Sequence, residues 1–364
     1  MLKTLKVIYG IVILFIITII IKLLRLENNP IFPECAEIDH AKRTKVPSIA
    51  VGTKFFDSSL LDVLLRDYSN NCNRKCLFYN INEAENVDIF VYHGRNLRTD
   101  DVYKLKCRKS SAVQALLTME SPINIKLKID PSIFDFVISY DSSEDLSVPY
   151  DKLVPIDIET KATEIWSTPE VNEAIKKKNK PVLTLVSHCS THSGREAYIA
   201  ELSNYIEVTN YGDCSGLPCN ESCAATAIEQ HYFYLAFENS VCNDYVTEKF
   251  WNLKKLIVPI VLSRKVIEKM APPGSFIAVD DFKTAAELAF YLQSLIDDKN
   301  EYAKFFDWTK FYKKTRAPNE IGCQLCKFAW NLREKEPVFK TVKNYYQWLN
   351  ASNCQENFVY DFLN

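Results

Sequence analysis

The sequence lacks an excess of charge of either sign. It has 44 Lys and Arg residues against 46 Asp and Glu residues in a chain of 364, so the formal net charge is −2. Nucleic-acid-binding proteins carry a basic surface, and this composition gives no sign of one. The sequence also contains no internal repeat and no low-complexity segment. A chain of this length is long for one compact domain and sufficient for two, each with its own core.

Charge is absent altogether from residues 7–21, where the sequence reads VIYGIVILFIITIII. Lys22 can extend towards the membrane surface, so the apolar span continues to residue 24, and about 18 helical residues cover roughly 27 Å. A cleaved signal peptide is the alternative, but no small-residue cleavage site follows the span. The sequence therefore predicts a transmembrane signal-anchor at residues 7–24, after a cytoplasmic tail at residues 1–6.

Basic residues flank this span on both sides, so the positive-inside rule does not set its orientation. Twelve cysteines favour an oxidising compartment over the cytosol. N-glycosylation sequons at Asn220 and Asn350 also place most of the chain in a lumen. Residues 25–47 are polar, contain Pro30 and Pro33, and are interpreted as a short stem.

Apolar runs separated by polar breaks recur after the stem and are typical of α/β proteins. A first series predicts strands within residues 48–56, 76–81, 87–94, 112–119 and 134–141. A second series predicts strands within residues 181–189, 232–237, 256–262 and 276–282, and helices within 194–206, 245–255 and 284–298. A charged, proline-containing stretch separates the two series. We therefore predict an N-terminal domain at residues 48–170, a C-terminal domain at 171–330 and a C-terminal segment at 331–364, with a cleft between the domains.

The densest group of polar residues follows the apolar run at 233–237. The sequence ENS at 238–240 ends this run abruptly, and after a short turn a helix is predicted to open near Glu248 and Lys249. Amide hydrogens at a helix start favour anions, and Lys249 adds a positive charge suited to a phosphate. The alternative is a capped helix with a surface Glu-Lys pair.

Two other predicted strand ends carry candidate site residues. Arg195 and Tyr198 lie one turn apart on the helix after residues 181–189, and an arginine there suits bidentate phosphate contacts. An exposed helical arginine is the alternative. Glu120 follows another apolar run, where a carboxylate can act as a general base or can simply begin a turn before Ser121.

The order of these segments resembles the α1,3/α1,4-fucosyltransferases of glycosyltransferase family 10. The run FYLAFENS…DYVTEK followed by VPIVL is similar to the family signature. ESPIN, FDFVISY, SHC with Arg195, YGDC, PPGSFIAVDDF and CQLCKFAWNL occur in the family's order, and the resemblance extends over about residues 70–350. It implies a GT-B fold, in which two Rossmann-like domains face a cleft and the C-terminal one binds most of the donor, GDP-fucose.

The resemblance also implies roles for individual residues. The donor site is expected to contain Arg195, Tyr198, Asn239, Tyr245, Glu248 and Lys249. Within it, Arg195 and Lys249 would neutralise the GDP diphosphate. Glu120 matches the family's proposed base, which would take the proton of an acceptor hydroxyl during an inverting displacement at fucose C1.

No metal is required by this mechanism, although stimulation by Mn²⁺ or Mg²⁺ stays open. The Asp-x-Asp motif that metal-dependent GT-A enzymes carry at an apolar strand end is not found, which disfavours a GT-A hexosyltransferase. The sequence departs from the family near the donor site: the run after Lys249 is shorter, Ser263 replaces a glycine and His188 replaces an asparagine. The alternative to an active enzyme is therefore a catalytically silent Golgi glycan-binding or partner-binding protein on the same fold.

Cys323 and Cys326 resemble the family's C-terminal C-x-x-C motif. The resemblance pairs that motif with cysteines near the start of the first domain, here Cys72 and Cys76. A zinc site or a redox pair is the alternative, but no second ligand pair accompanies the motif. A pairing of Cys189 with Cys214 is a further expectation.

The partners implied by the resemblance are GDP-fucose and a glycan acceptor. The acceptor sugar is N-acetylglucosamine, either in the N-glycan core or in a LacNAc-type antenna, with an α1,3 linkage as the default and α1,4 open. The expected location is the Golgi membrane, as a single-pass type II protein with a lumenal catalytic region.

Overall fold

The structure is a computed structural model that describes residues 44–66, 68, 72–81, 87–98, 112–142, 146–334 and 342–364. The predicted tail and signal-anchor, and the stem up to residue 43, lie outside the described residues. Within the described ranges, no helix has both the length and the apolar character needed to cross a membrane.

The first domain is built on a parallel sheet of five strands in the order β2-β1-β3-β4-β5. The strands are β1 (Ser48–Val51), β2 (Leu77–Asn80), β3 (Ile89–His93), β4 (Val113–Leu117) and β5 (Phe136–Ile138). One helix, α1 (Leu60–Leu65), follows β1 and begins where the Ser59 side chain accepts a hydrogen bond from the Asp62 amide. Each predicted apolar run of this series contains one of these strands. Most of these five strands are apolar and buried, as expected for strands that are covered on both faces of a parallel sheet.

The second domain has another five-stranded parallel sheet, in the order β10-β9-β8-β6-β7. Its strands are β6 (Lys180–Leu185), β7 (Val208–Tyr211), β8 (His231–Leu235), β9 (Val258–Val261) and β10 (Ile277–Ala278). Its helices are α2 (Thr168–Lys176), α3 (Arg195–Leu202), α4 (Glu221–Gln230), α5 (Glu248–Trp251), α6 (Arg264–Ile267), α7 (Ala285–Asp297) and α8 (Lys299–Lys304). The predicted cap of α7 is present, because Thr284 accepts from the Glu287 amide. The two predicted series of α/β elements thus form two parallel sheets in tandem.

The last three helices are shared between the domains. They are α9 (Ile321–Glu334), α10 (Tyr345–Ala351) and α11 (Phe358–Leu363). Leu325 and Phe328 of α9 pack in one core with Ile49 and Val91 of the first sheet, whereas Val359 of α11 packs in the core of the second domain. This differs from the predicted boundary at residue 330, which assigned the first ten residues of α9 to the second domain. Because α9 has one apolar face and that face fills the first core, the helix belongs to the first domain.

Disulfides fasten α9 to the segment before β2. Cys72 pairs with Cys323 and Cys76 with Cys326, as the resemblance implied. The Cys189–Cys214 pair is also present. Two further pairs, Cys219–Cys223 and Cys242–Cys354, were not predicted. Since the sulfurs of Cys323 and Cys326 are bonded to other cysteines, this motif is neither a zinc site nor a redox pair of its own.

The two sequons lie in different local structures. The Asn220 side chain caps α4 by accepting from the Cys223 amide. Asn350 is exposed on α10, but Ser352 of its sequon is buried and donates to the Trp348 carbonyl. Glycosylation at both positions stays a prediction.

Candidate active site

Glu120 lies three residues after β4, at the carboxyl end of the first sheet. Its amide donates to Thr118 Oγ1 at 3.2 Å, and its own Oε1 accepts from the Ser121 amide at 3.1 Å. The Ser121 carbonyl then accepts from the amides of Asn124 and Ile125 and closes a turn. Glu120 therefore begins a turn, which was one of the two alternatives drawn from the sequence, and it also lines the cleft between the domains. Its role as a general base stays a prediction.

The second domain holds the same carboxylate oxygen. Tyr245 Oη donates to Glu120 Oε1 at 2.5 Å, and Asn239 Nδ2 donates to it at 3.3 Å. With the Ser121 amide, three donors converge on Oε1. Glu120 Oε2 accepts no hydrogen bond from the described part of the chain. The geometry thus fixes the carboxylate through one oxygen and leaves the other available to a substrate.

Tyr245 is suited to act as a lasting donor. Its side chain is buried and its ring packs 4.9 Å from the ring of Tyr140. Burial raises the pKa of Tyr245 well above its usual value of 10, and the neighbouring Glu120 carboxylate acts in the same direction. The hydroxyl therefore keeps its proton over the physiological range.

A cluster of hydroxyl and amide groups joins the two strand ends. Ser121 Oγ and Ser240 Oγ lie 2.8 Å apart, and Asn124 Nδ2 donates to Ser240 Oγ at 2.6 Å and to Ser121 Oγ at 3.0 Å. These side chains link the end of β4 to the end of β8 across the domain boundary. Sequence reasoning assigned them no role, although two of them belong to the ESPIN segment and one to ENS.

Lys249 lies close to three oxygen-bearing side chains. Its Nζ is 3.0 Å from Thr247 Oγ1, 3.0 Å from Glu248 Oε1 and 3.4 Å from Glu238 Oε2. Burial alone would lower the pKa of Lys249, but the carboxylates of Glu238 and Glu248 outweigh it and raise the pKa. The ammonium is therefore charged at neutral pH. Its charge is shared with two carboxylates, whereas the sequence suggested a cation free to meet a phosphate.

Glu238 is the buried partner in this group. Its carboxylate accepts from the Thr247 amide at 2.7 Å and from Thr247 Oγ1 at 2.8 Å. Burial raises the pKa of Glu238, and the charge of Lys249 opposes that rise. Glu248, in contrast, leaves 69% of its side chain exposed. Glu238 thus fixes the start of α5, whereas Glu248 lies at the rim.

Two predicted donor contacts are placed differently from the expectation. The Arg195 guanidinium is buried, where it donates to the Phe237 carbonyl at 2.7 Å and to the His188 carbonyl at 3.2 Å. Burial lowers the pKa of Arg195. Tyr198 is fully buried, with its ring 5.8 Å from that of Phe237. Arg195 therefore braces the end of β8, and Tyr198 is a core residue with no surface to offer a ligand.

A cavity of about 560 Å³ lies in front of Glu120. The residues that line it are Phe56, His93, Arg95, Thr118, Glu120, Asn124, Ile125, Lys126, His188, Ser190, Thr191, His192 and Asn239. This volume is typical of small-molecule sites. Both domains contribute, the first through the ends of β3 and β4 and the second through the loop between β6 and α3. His188, which departs from the family pattern, is among the lining residues.

Comparison with known protein families finds a match to the C-terminal half of the chain. A model described as "Glycosyltransferase family 10 (fucosyltransferase) C-term" matches residues 175–348. Alpha-(1,3)-fucosyltransferase fut-1 of Caenorhabditis elegans is 32% identical over 58% of this chain and 52% of its own length. The aligned region thus spans about half of that relative. Alpha-(1,3)-fucosyltransferase fut-5 of the same organism is 28% identical over 88% of this chain and 87% of its own length. The human 4-galactosyl-N-acetylglucosaminide 3-alpha-L-fucosyltransferase FUT5 is 34% identical over 64% of this chain and 60% of its own length.

Solved structures give the same fold. A crystal structure of an α1,3-fucosyltransferase superposes with a TM-score of 0.51 at 18% identity, covering 74% of this chain and 84% of that one. A crystal structure of an α1,3-fucosyltransferase with GDP-fucose gives a TM-score of 0.51 at 17% identity, covering 83% and 93%. At this level of identity the likeness shows the fold alone.

Proposed function

We propose that this chain is a member of glycosyltransferase family 10, the α1,3-fucosyltransferases, and that it transfers fucose from GDP-fucose to a hydroxyl of N-acetylglucosamine in a glycan. The observation that carries the proposal is the position of Glu120. Its carboxylate lies in the cleft of a GT-B-type arrangement and is held through Oε1 by Asn239 and Tyr245 of the family motif. The acceptor is a glycoprotein or glycolipid glycan, and the linkage is α1,3.

The open oxygen of Glu120 defines its role in the reaction. Glu120 Oε2 takes the proton of the acceptor hydroxyl while the hydroxyl oxygen forms a bond to fucose C1. The bond between C1 and the GDP oxygen breaks, and GDP leaves with the electron pair. Because attack and departure occur on opposite sides of C1, the configuration inverts. The proton passes from Glu120 to water after the product leaves.

The departing diphosphate needs a positive partner, and Lys249 is the candidate. Glu238 is fixed by Thr247, but Glu248 is exposed and makes only one of the contacts of the ammonium. We therefore assign Glu248 as the partner that yields to the diphosphate and then contacts the nucleotide-sugar. Arg195 supports this site by holding the Phe237 carbonyl, one residue before Glu238. Positive charge fixed before the reaction stabilises developing negative charge on the leaving group.

The proposed chemistry requires no metal ion, because a proton acceptor and a cation for the leaving group are both supplied by side chains. Mn²⁺ or Mg²⁺ can still add charge at the diphosphate and stimulate turnover. Full activity in excess EDTA, with at most a few-fold gain on adding Mn²⁺, is the expected result. Complete loss of activity in EDTA, restored by Mn²⁺, would overturn the proposal that transfer needs no metal ion.

The location follows from the same proposal. Residues 7–24 would anchor the chain in the Golgi membrane as a type II protein, with the folded domains in the lumen. The disulfides among the described residues support an oxidising compartment. In intact vesicles the folded domains should resist added protease until detergent is present. Cleavage without detergent would place them on the cytosolic side.

The deciding experiment is transfer of labelled fucose from GDP-fucose by the detergent-solubilised full chain. The acceptors are N-glycan core and LacNAc-type glycans, and GDP binding is measured in parallel. Product with the label on N-acetylglucosamine is expected. A folded chain that binds GDP but forms no product with any acceptor would favour the silent glycan-binding alternative. A folded chain that does not bind GDP would remove the nucleotide-sugar from the proposal altogether.

A further inference from the structure

We propose that Phe56 is the residue on which the acceptor sugar stacks in the Glu120 cleft, and that Asn96 is a positioning residue that holds Phe56 in place. The inference rests on the proposed function, because it concerns the acceptor of that reaction. It adds a recognition element that lies in the loop after β1, outside every segment assigned above to the donor or to catalysis.

The backbone of Phe56 is the first observation. Its φ is 51°, in the left-handed region. Bulky residues seldom adopt this conformation, because the Cβ atom crowds the following carbonyl oxygen. Such a residue persists only where its surroundings determine it, and these places concentrate at ligand sites. Glycine would adopt this φ without strain, whereas the sequence has an aromatic residue here.

Asn96 supplies the surroundings that fix this backbone. The Phe56 amide donates to Asn96 Oδ1 at 2.8 Å, and Asn96 Nδ2 donates to the Phe56 carbonyl at 2.9 Å. One side chain therefore binds both main-chain polar groups of one residue. Asn96 Oδ1 also lies 2.6 Å from Nδ1 of the buried His93. The hydrogen bonds between Phe55 and Ser58, amide to carbonyl in each direction, close the bend on the other side.

Neighbouring groups fix the ring of Phe56 but do not cover it. The ring centroid is 5.0 Å from that of Phe55 and 4.8 Å from that of His93, and Arg95 Cζ lies 5.2 Å from it. Phe56 nevertheless remains 39% exposed and lines the cavity. A constrained backbone and two ring contacts thus present an aromatic surface to a polar cleft, at a conformational cost.

The composition of the cavity indicates the ligand. Among the described residues that line it, only Phe56 and Ile125 are apolar, and the others carry hydroxyl, amide, imidazole or charged groups. A pyranose combines hydroxyls at its edge with an apolar face of C–H groups. Polar walls with a single exposed aromatic ring match that combination. Glu120 belongs to the same cavity, so a sugar stacked on Phe56 lies in the space where the acceptor hydroxyl must meet its base.

The test is steady-state transfer by the full chain with N-acetyllactosamine as the probe acceptor. Phe56→Ala should raise the acceptor KM about tenfold, with kcat and the GDP-fucose KM within about threefold of wild type. Phe56→Trp should keep a low acceptor KM, and Phe56→Leu, which keeps bulk without a π-face, should resemble Phe56→Ala. Phe290→Ala is the matched control, because Phe290 is 80% exposed on α7 and does not line the cavity.

The role of Asn96 is tested by the same separate measurement of the acceptor KM and of kcat. Asn96→Ala should raise the acceptor KM in the direction of Phe56→Ala, because the ring loses its fixed position. Asn96→Asp keeps an acceptor for the Phe56 amide and should give an intermediate acceptor KM. Combining Asn96→Ala with Phe56→Ala should add little to Phe56→Ala alone. Additive losses in the double variant would remove the positioning role.

Calorimetric binding of N-acetyllactosamine in the presence of GDP separates this proposal from fucosyl transfer. If the wild-type chain transfers no fucose but binds the glycan, and Phe56→Ala weakens that binding, the stacking role of Phe56 is supported and the proposed transfer activity is wrong. An unchanged acceptor KM in Phe56→Ala overturns the stacking role while the transfer activity stands. A rise in the GDP-fucose KM instead would assign the ring to the donor sugar. If the chain shows no glycan binding and no fucose transfer with any acceptor, both the stacking role of Phe56 and the proposed function are overturned.

Discussion

At the scale of the residue, Glu120 has one engaged oxygen and one open oxygen. Glu120→Gln retains an acceptor for Tyr245 and Asn239 but cannot take a proton, so kcat should fall by about 10²–10⁴-fold. GDP affinity and melting temperature should stay near the wild-type values. Steady-state transfer and GDP titration measure the two effects. Glu159→Gln, at an exposed position before α2, is the control and should leave kcat unchanged. A near-normal kcat in Glu120→Gln would place the base elsewhere.

Lys178 is a buried cation remote from the cleft. Its Nζ donates to the Ile228 carbonyl at 2.8 Å, and burial lowers its pKa to about 7 although the nearby Glu229 carboxylate acts in the opposite direction. The unfolded chain holds this proton up to the usual lysine pKa near 10.5, whereas the folded chain releases it above about 7. Stability should therefore rise with pH between those values. Below pH 7 the lysine is protonated in both states, so its burial cost is fully present and does not change with pH.

Lys178→Met tests this linkage. The free energy of unfolding of the wild-type chain should rise relative to the variant by about 1–3 kcal/mol between pH 7 and pH 9. Denaturant unfolding at several pH values measures the difference. Lys176→Met, at an exposed position two residues earlier at the end of α2, should follow the wild-type profile. Parallel profiles for wild type and Lys178→Met would mean that the lysine stays protonated in the folded chain.

The sequence singled out residues that the structure brings together, but it did not predict their contacts. Glu120 was assigned to catalysis and Asn239 and Tyr245 to the donor site, whereas in the structure all three meet at one carboxylate oxygen. Tyr198 shares a helical face with Arg195, and periodicity alone cannot tell whether that face turns towards the cleft or towards the core. The sequence also did not predict the pairing of Lys249 with Glu238. This contact depends on how the turn after β8 folds back and not on the spacing of the two residues along the chain.

At the scale of the element, the two disulfides on α9 act on the same loop. Each closes a separation of about 250 residues, but with one in place the other closes only a short ring. Loss of the Cys72–Cys323 pair or of the Cys76–Cys326 pair should therefore cost about 2–3 kcal/mol, and loss of both more than twice as much. Unfolding of the paired Cys→Ser variants and of the quadruple variant measures this. Equal and additive losses would show that the staples act independently.

The elements that the sequence predicted are those with long apolar runs. All five strands of the first sheet fall within such runs. β7 escaped prediction because it lies at a sheet edge, is only partly buried and reads Val-Thr-Asn-Tyr. α4 escaped because its small and polar side chains form no broad apolar face. The membership of α9 in the first domain is a non-local contact, which hydrophobic periodicity along one helix does not specify.

At the scale of the whole molecule, one buried ion pair holds the chain where it crosses between the domains. Lys254 Nζ donates to Asp151 Oδ1 at 2.9 Å and to the carbonyls of Lys152 and Thr315, at 3.0 and 2.9 Å. Asp151 Oδ1 also accepts from the Ala317 amide. The pair therefore joins the segment that leaves the first domain at residues 151–152, the returning segment at residues 315–317 and Lys254 of the second domain.

Asp151→Asn should loosen this junction, because it leaves a buried ammonium without its counter-charge. The expected loss is about 3–5 kcal/mol, and calorimetry should resolve two transitions where the wild type gives one. Asp151→Leu combined with Lys254→Met should recover part of the lost stability. Lys152→Met, an exposed neighbour paired with Glu320, is the control and should leave a single transition. Persistence of one transition in Asp151→Asn would show that other contacts couple the domains.

The position of α9 has a consequence for how the chain is made. The last strand of the first sheet ends at Ile138, whereas the helix that completes its core begins at Ile321. At about 5–20 residues per second, a ribosome needs on the order of 10–40 seconds to synthesise the interval. During that time Cys72 and Cys76 have no native partner, while Cys189, Cys214, Cys219 and Cys223 are being synthesised. In the proposed oxidising compartment, folding would therefore have to protect the early thiols or exchange mispaired disulfides once the end of the chain has been synthesised.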